Sequence, residues 1–141
     1  MTYNASIVPT LTNGFGLPDM GDLERRIQRW VMSFRTPVTA FAGGGKANAT
    51  RLFKEDTCVH VATVASGADS ILLPANPLPG QAHLITNNGA SSMQVFGANS
   101  DTINAVATGT GVAQAAGITA MYICFSVTAA GVSNWRRLLS A

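Results

Sequence analysis

Charge is the scarcest ingredient of this chain. Only 11% of its 141 residues are Asp, Glu, Lys or Arg, about half the roughly 25% usual for a globular domain. The net charge of +2 excludes a global field of the kind that holds nucleic acid. A surface this weakly charged repels its neighbours little, which suits a subunit packed in an assembly. Cysteine is nearly missing as well. Cys58 and Cys124 fall among Val, Ile and Phe in expected strands, so they read as buried thiols and not as the framework of a secreted mini-protein. No apolar run approaches the roughly 18 residues of a membrane span, and no membrane contact is expected. The opening residues (MTYNASIVPTLTNGFG) have neither the basic nor the apolar region of a signal peptide, so a chain folded in the cytoplasm is expected.

What is present is the grammar of strands and turns. Residues 57–64 (TCVHVATV) alternate and are rich in β-branched side chains. A turn at 66–69 and a short strand stopped by Pro74 follow, then a stiff loop containing Pro77 and Pro79. Asn88-Gly89 stands between residues 82–85 (AHLI) and 93–96 (MQVF). Asn-Gly supplies the positive φ of a tight turn at least steric cost, so these segments read as a hairpin. Residues 118–127 (ITAMYICFSV) form a long strand apolar on both faces, and a turn at 128–131 leads to a last strand over 132–139. About eight short strands at this spacing predict a mainly β fold, an antiparallel sandwich, jelly-roll-like body or small barrel, over residues 57–141.

The front of the chain differs. Residues 1–18 hold turn-formers around Tyr3, Ile7, Leu11 and Phe15 and read as an extended arm too apolar for a solvated tail. Over 19–36, Met20, Leu23, Ile27, Trp30 and Phe34 recur at spacings of three and four, the stripe of an amphipathic helix ended by Thr36-Pro37. Helices this short are marginal alone, so the stripe must dock on its own β domain or on a partner. Arg25, Arg26 and Arg29 share the helix. They could meet phosphates, but Trp30 lies on the apolar stripe, so the arginines read as a solvated or subunit-facing side. Nucleic acid is not expected as a partner. Residues 37–56, with Gly43-Gly44-Gly45-Lys46, read as a flexible linker. A phosphate loop needs glycine five residues before the Gly-Lys pair and Ser or Thr after it, where this chain has Ala40 and Ala47.

Catalytic chemistry finds no anchor. Cys58 and His60 share a strand face, but a single i, i+2 pair lacks the short-turn spacing of structural zinc. The carboxylates sit at a helix start, before a strand, or in turns at Asp69 and Asp101, where they hydrogen-bond backbone amides. No pair suits glycoside hydrolysis, and neither His60 nor His83 has a nucleophile context. No catalytic residue, cofactor or metal is expected.

The segments ADSILLP (68–74), MQVFG (93–97), DTIN (101–104) and NWRRLL (134–139) resemble small β-domain proteins encoded among tailed-bacteriophage structural genes, the likeness covering residues 42–141. The resemblance implies a virion component, above all a capsid decoration (cement) protein that binds the assembled head. It implies the major capsid protein or other virion proteins as partners, and a homo-oligomer, with a trimer favoured. It supplies no catalytic residues. In that setting the arm and helix (Tyr3, Ile7, Leu11, Phe15, Leu23, Ile27, Trp30 and Phe34, with Arg25, Arg26 and Arg29) are the expected attachment residues. The alternative is a tail, neck or head-fibre module that binds host-surface glycan through an exposed ring such as Tyr122 or Trp135.

Overall fold

The computed structural model divides the chain into two units, Met1–Met32 and Ser33–Ala141, and describes residues 33–140. The expected arm and most of the expected helix lie outside the described residues. Among the described residues the strands are β1 (Phe34–Thr39), β2 (Thr50–Arg51), β3 (Cys58–Thr63), β4 (Ser70–Leu72), β5 (Ala82–Asn87), β6 (Met93–Phe96), β7 (Thr102–Ile103), β8 (Val112–Gln114), β9 (Thr119–Val127) and β10 (Ser133–Leu139), with one short helix, α1 (Gly45–Asn48).

From β1 to β9 successive strands alternate between two sheets, one ordered β1-β3-β5-β9-β10-β7 and the other β2-β4-β6-β8. In the first sheet β1, β3 and β5 run parallel. In the second β2, β4 and β6 do the same. The chain from residue 34 to 96 therefore winds in three coils, each giving one strand to each sheet. Apart from a single antiparallel bridge between Phe41 and Ser70, antiparallel pairing enters only afterwards, through β8 on β6 and through β9 on β5 and β10. The fold is mainly β, as its patterning predicts, but both sheets are mixed and not antiparallel throughout. An alternating sequence reports which side of a strand is buried, not the direction of its neighbour.

The same winding overturns the Asn88-Gly89 hairpin. β5 and β6 belong to different sheets, so Asn88-Gly89 turns a corner between them. Asn87 shapes that corner: its Oδ1 accepts the Gly89 N–H at 3.0 Å, and its Nδ2 donates to Ser91 O and Gln114 O, both at 2.9 Å. Asp69 does the equivalent work one coil earlier, accepting from the N–H groups of Ala65 (2.7 Å), Ser66 (3.2 Å) and Gly43 (3.1 Å) and from Ser66 Oγ (2.7 Å). These bonds hold its carboxyl down at about 2, the Ser66 hydroxyl contributing most.

Two further expectations are corrected. Phe34 and Arg35 begin β1 and do not end a helix. Residues 37–56 are no linker but complete the first coil, carrying the second half of β1, then α1 and β2. The glycine run turns the corner of that coil, with Gly43 and Gly45 at φ of 65° and 56°, a region that costs glycine little.

The inner faces of both sheets contribute to one buried cluster, which includes Val59, Val61, Ile85, Tyr122 and Trp135 from the first and Ile71, Met93, Val95 and Val112 from the second. Polar groups are enclosed with them. Tyr122 Oη donates to Gln114 Oε1 at 2.9 Å, while Gln114 Nε2 donates to Ile85 O at 2.8 Å and Ile118 O at 2.9 Å. Burial pushes the Tyr122 phenol well above its ordinary range.

Candidate partner-binding surfaces

Of the expected attachment residues, Tyr3, Ile7, Leu11, Phe15, Leu23, Arg25, Arg26, Ile27, Arg29 and Trp30 lie outside the described residues. Phe34 is described, and is 66% exposed at the start of β1. It belongs to a feature that the helical stripe does not reveal. Strand register places Phe34 beside Cys58, Cys58 beside Leu84, Leu84 beside Met121 and Met121 beside Leu138. These five residues form one apolar row across the outer face of the six-stranded sheet. Its ends, Phe34 and Leu138, are exposed, and its middle is half-buried.

The next row on one side is polar. His60 lies beside Thr86, and Thr86 beside Thr119. His60 Nδ1 is 2.9 Å from Thr36 Oγ1, and the Thr86 and Thr119 hydroxyls are 2.9 Å apart. The row on the other side holds Ala82, Ile123 and Arg136, and Arg136 is the one charge in the three rows. Phe125, 70% exposed, lies further along β9.

The residues weighed for chemistry are otherwise employed. The imidazole of His60 stacks against Phe34, centroids 6.5 Å apart. His83 is fully buried beside Trp135. Its Nδ1 lies 2.7 Å from Asp56 O, which makes Nδ1 the protonated nitrogen. Burial lowers its pKa. Asp101 is buried, with Oδ1 accepting Ser133 N–H at 2.8 Å and Oδ2 accepting Trp135 Nε1–H at 3.4 Å. Cys58 and Cys124 stand on different strands and are not joined in a disulfide. Among the described residues, no three His, Cys, Asp or Glu side chains gather as metal ligands, and no helix is long and apolar enough to cross a membrane. Tyr122 and Trp135, the rings offered for glycan, are 0% and 1% exposed and line no surface groove.

A second surface lies at the first coil. A groove of about 540 Å³ runs between the segment after β2 and the loops following β4 and β6. Leu52, Leu72, Leu73 and Ala98 form its buried apolar floor, while Arg51, Phe53 and Lys54 are exposed at its rim. Arg35 braces that rim. Its Nη1 pairs with Asp56 Oδ2 at 2.7 Å and donates to Arg51 O at 3.2 Å, and its guanidinium lies 4.8 Å from the centre of the Phe53 ring. Sequence reading passes over this groove because its residues sit in a stretch that composition marks as a joint. The run RLFKED, charged and apolar together just before a strand, is the available signal.

Comparison of the chain with protein-family models, with curated proteins and with solved structures gives no match.

Proposed function

We propose that this chain is a non-enzymatic structural protein of a tailed-bacteriophage virion, a capsid decoration (cement) protein that binds and stabilises the assembled head. The observation that carries the reading is the apolar row Phe34, Cys58, Leu84, Met121 and Leu138. Such a face, with Arg136 as its one nearby charge, has the composition of a surface made for burial against protein. The resemblance of the segments ADSILLP, MQVFG, DTIN and NWRRLL to phage β-domain proteins is the second support for the reading. The two sheets, joined by one core, are read as a sandwich that serves as a rigid body. The partners in this reading are the major capsid protein and further copies of the chain, a trimer being favoured. A protein that binds only the assembled shell stabilises it by mass action, with no reaction performed.

The test mixes the full chain with heads lacking it and sediments them. Saturable recovery with the heads is expected, together with a higher temperature of head disruption. A chain left in the supernatant at saturating concentration contradicts the reading.

A further inference from the structure

We infer that the groove at the first coil is a docking site for an extended acidic segment of a partner protein, with carboxylates on one side of the segment and apolar side chains on the other. Among the described residues the carboxylates are Glu55, Asp56, Asp69 and Asp101. Asp69 and Asp101 are buried, and Asp56 is paired with Arg35. Glu55 alone is an exposed carboxylate.

The cations are distributed otherwise. Arg51 and Lys54 are exposed on the groove rim, and among the described residues neither side chain has an ion-pair or hydrogen-bond partner. Lys46 also lines the groove, but its ammonium is already committed to Thr108 O at 3.1 Å, Thr108 Oγ1 at 2.8 Å and Asn99 O. It adds positive field without a donor to spare. The groove therefore offers two cationic side chains without an ion-pair partner beside an apolar floor, and a segment bearing both carboxylates and apolar side chains complements both.

Shape selects an extended segment. The groove starts at the end of β2, the edge strand of the four-stranded sheet, and is bounded by the loops that follow β4 and β6. An extended chain puts alternate side chains on opposite faces. One set can rest on Leu52, Leu72 and Ala98 while the other reaches Arg51 and Lys54. Nucleic acid is the poorer fit, because it needs a track of several phosphate-neutralising cations. Here two cations stand over an aliphatic floor with Glu55 among them. The strand β1, at the edge of the other sheet, is the less inviting place for an added strand, since Pro37 removes one of its backbone donors.

The proposal does not depend on where the protein works. A groove that binds acidic peptide on a chain that fails to sediment with heads would leave this inference standing and remove the virion reading. The experiment titrates the full isotopically labelled chain with a short blocked peptide of alternating Glu and Val, and with a Lys/Val peptide of equal length. The Glu/Val peptide is expected to move the amide resonances of residues 50–55, 72–75 and 98–99, and the Lys/Val peptide to leave them in place. The double variant Arg51→Glu, Lys54→Glu should weaken Glu/Val binding by at least about tenfold and admit the Lys/Val peptide. Both positions are exposed, and unchanged resonance dispersion elsewhere reports an intact fold. Four results each overturn the proposal: no movement, equal movement with both peptides, tighter binding of a single-stranded oligonucleotide at these residues, or movement with protein concentration alone, which assigns the groove to a second copy.

Discussion

Gly89 sits so close to Val64 that a Cβ at position 89 would stand 2.5 Å from both the Val64 nitrogen and its Cβ. That contact is where the third coil closes on the second. The N–H groups of Ala90 and Ser91 both donate to Val64 O at 3.1 Å, and Asn88 N–H donates to Val61 O at 2.9 Å. Glycine is demanded at 89 by the neighbouring coil, and its φ is not among the positive ones.

Gly89→Ala is accordingly expected to destabilise the protein by about 1–3 kcal/mol or more, because backbone and not a flexible side chain must yield. Gly67→Ala, at a corner where a Cβ meets nothing within 4 Å, should stay within about 0.5 kcal/mol of the parent. Urea denaturation of the two variants checks the contrast, and equal losses would mean that the corners are not stacked as described.

Gln114 holds the second relationship worth testing. Tyr122→Phe removes the donor to Gln114 Oε1 and leaves that oxygen buried without it, a cost of about 1–3 kcal/mol. Gln114→Leu should cost more, since it strands the Tyr122 hydroxyl and takes a side-chain donor from each of the Ile85 and Ile118 carbonyls, although Ile118 O still accepts the Asn87 N–H at 3.0 Å. Equilibrium unfolding of the single variants and of the double variant reports the coupling, and simple additivity would deny the network.

Acid should weaken the fold in two separate windows. His83 is held neutral in the folded state, its pKa lowered from the ordinary 6.5, chiefly by burial. As pH drops below about 6.5 the unfolded chain takes up a proton there that the folded chain refuses, so stability falls. His83→Phe, although less stable at neutral pH, should lose that part of the slope. Asp69 acts lower down. Its folded value of about 2 lies below the ordinary 3.8, so its contribution is intact above 3.8 and is lost as pH falls toward 2. Denaturation midpoints measured across both windows separate the two groups.

A chain beginning at Ser33 should fold as a cooperative β body, because it retains all of β1. A chain beginning at Val38 loses the Arg35 partner of Asp56 and the first four of the six residues of an edge strand. It should be less stable by about 2 kcal/mol or more. Thermal melts of the two truncations decide this, and indistinguishable melts would return residues 34–37 to the status of a tail.

Met121→Glu together with Leu138→Glu places two carboxylates in the apolar row, where Met121 and Leu138 are register partners. Leu138 is 57% exposed and Met121 half-buried, so the fold should persist while head binding falls by at least about tenfold. Sedimentation with heads, scored beside a circular dichroism spectrum, distinguishes lost attachment from lost structure.

Much of this was legible in the residues and some could not be. The alternation of TCVHVATV marks β3, and the turn at Thr128 to Gly131 does join the antiparallel pair β9 and β10. The direction of pairing was hidden, because a strand of period two buries the same face beside a parallel or an antiparallel neighbour. Asn88-Gly89 carried a hairpin signal that the Val64 contact overrides. The glycine run read as a joint because composition reports conformational freedom in an isolated chain, whereas Asp69 accepts the Gly43 N–H from another coil. The inward-pointing His83, Asn87 and Gln114 left no trace in a hydrophobic pattern. Neither did the row Phe34 to Leu138, which exists only once five strands are in register. The groove rests on Arg51 and Lys54 being the unpaired cations of the first coil, which no spacing in the chain announces.

The most direct test images intact particles made with and without this gene product. Head images should gain density at regular surface positions when the chain is present and lose it when the gene is deleted. Identical heads in the two preparations, with the chain missing from purified particles, would contradict the account at its centre.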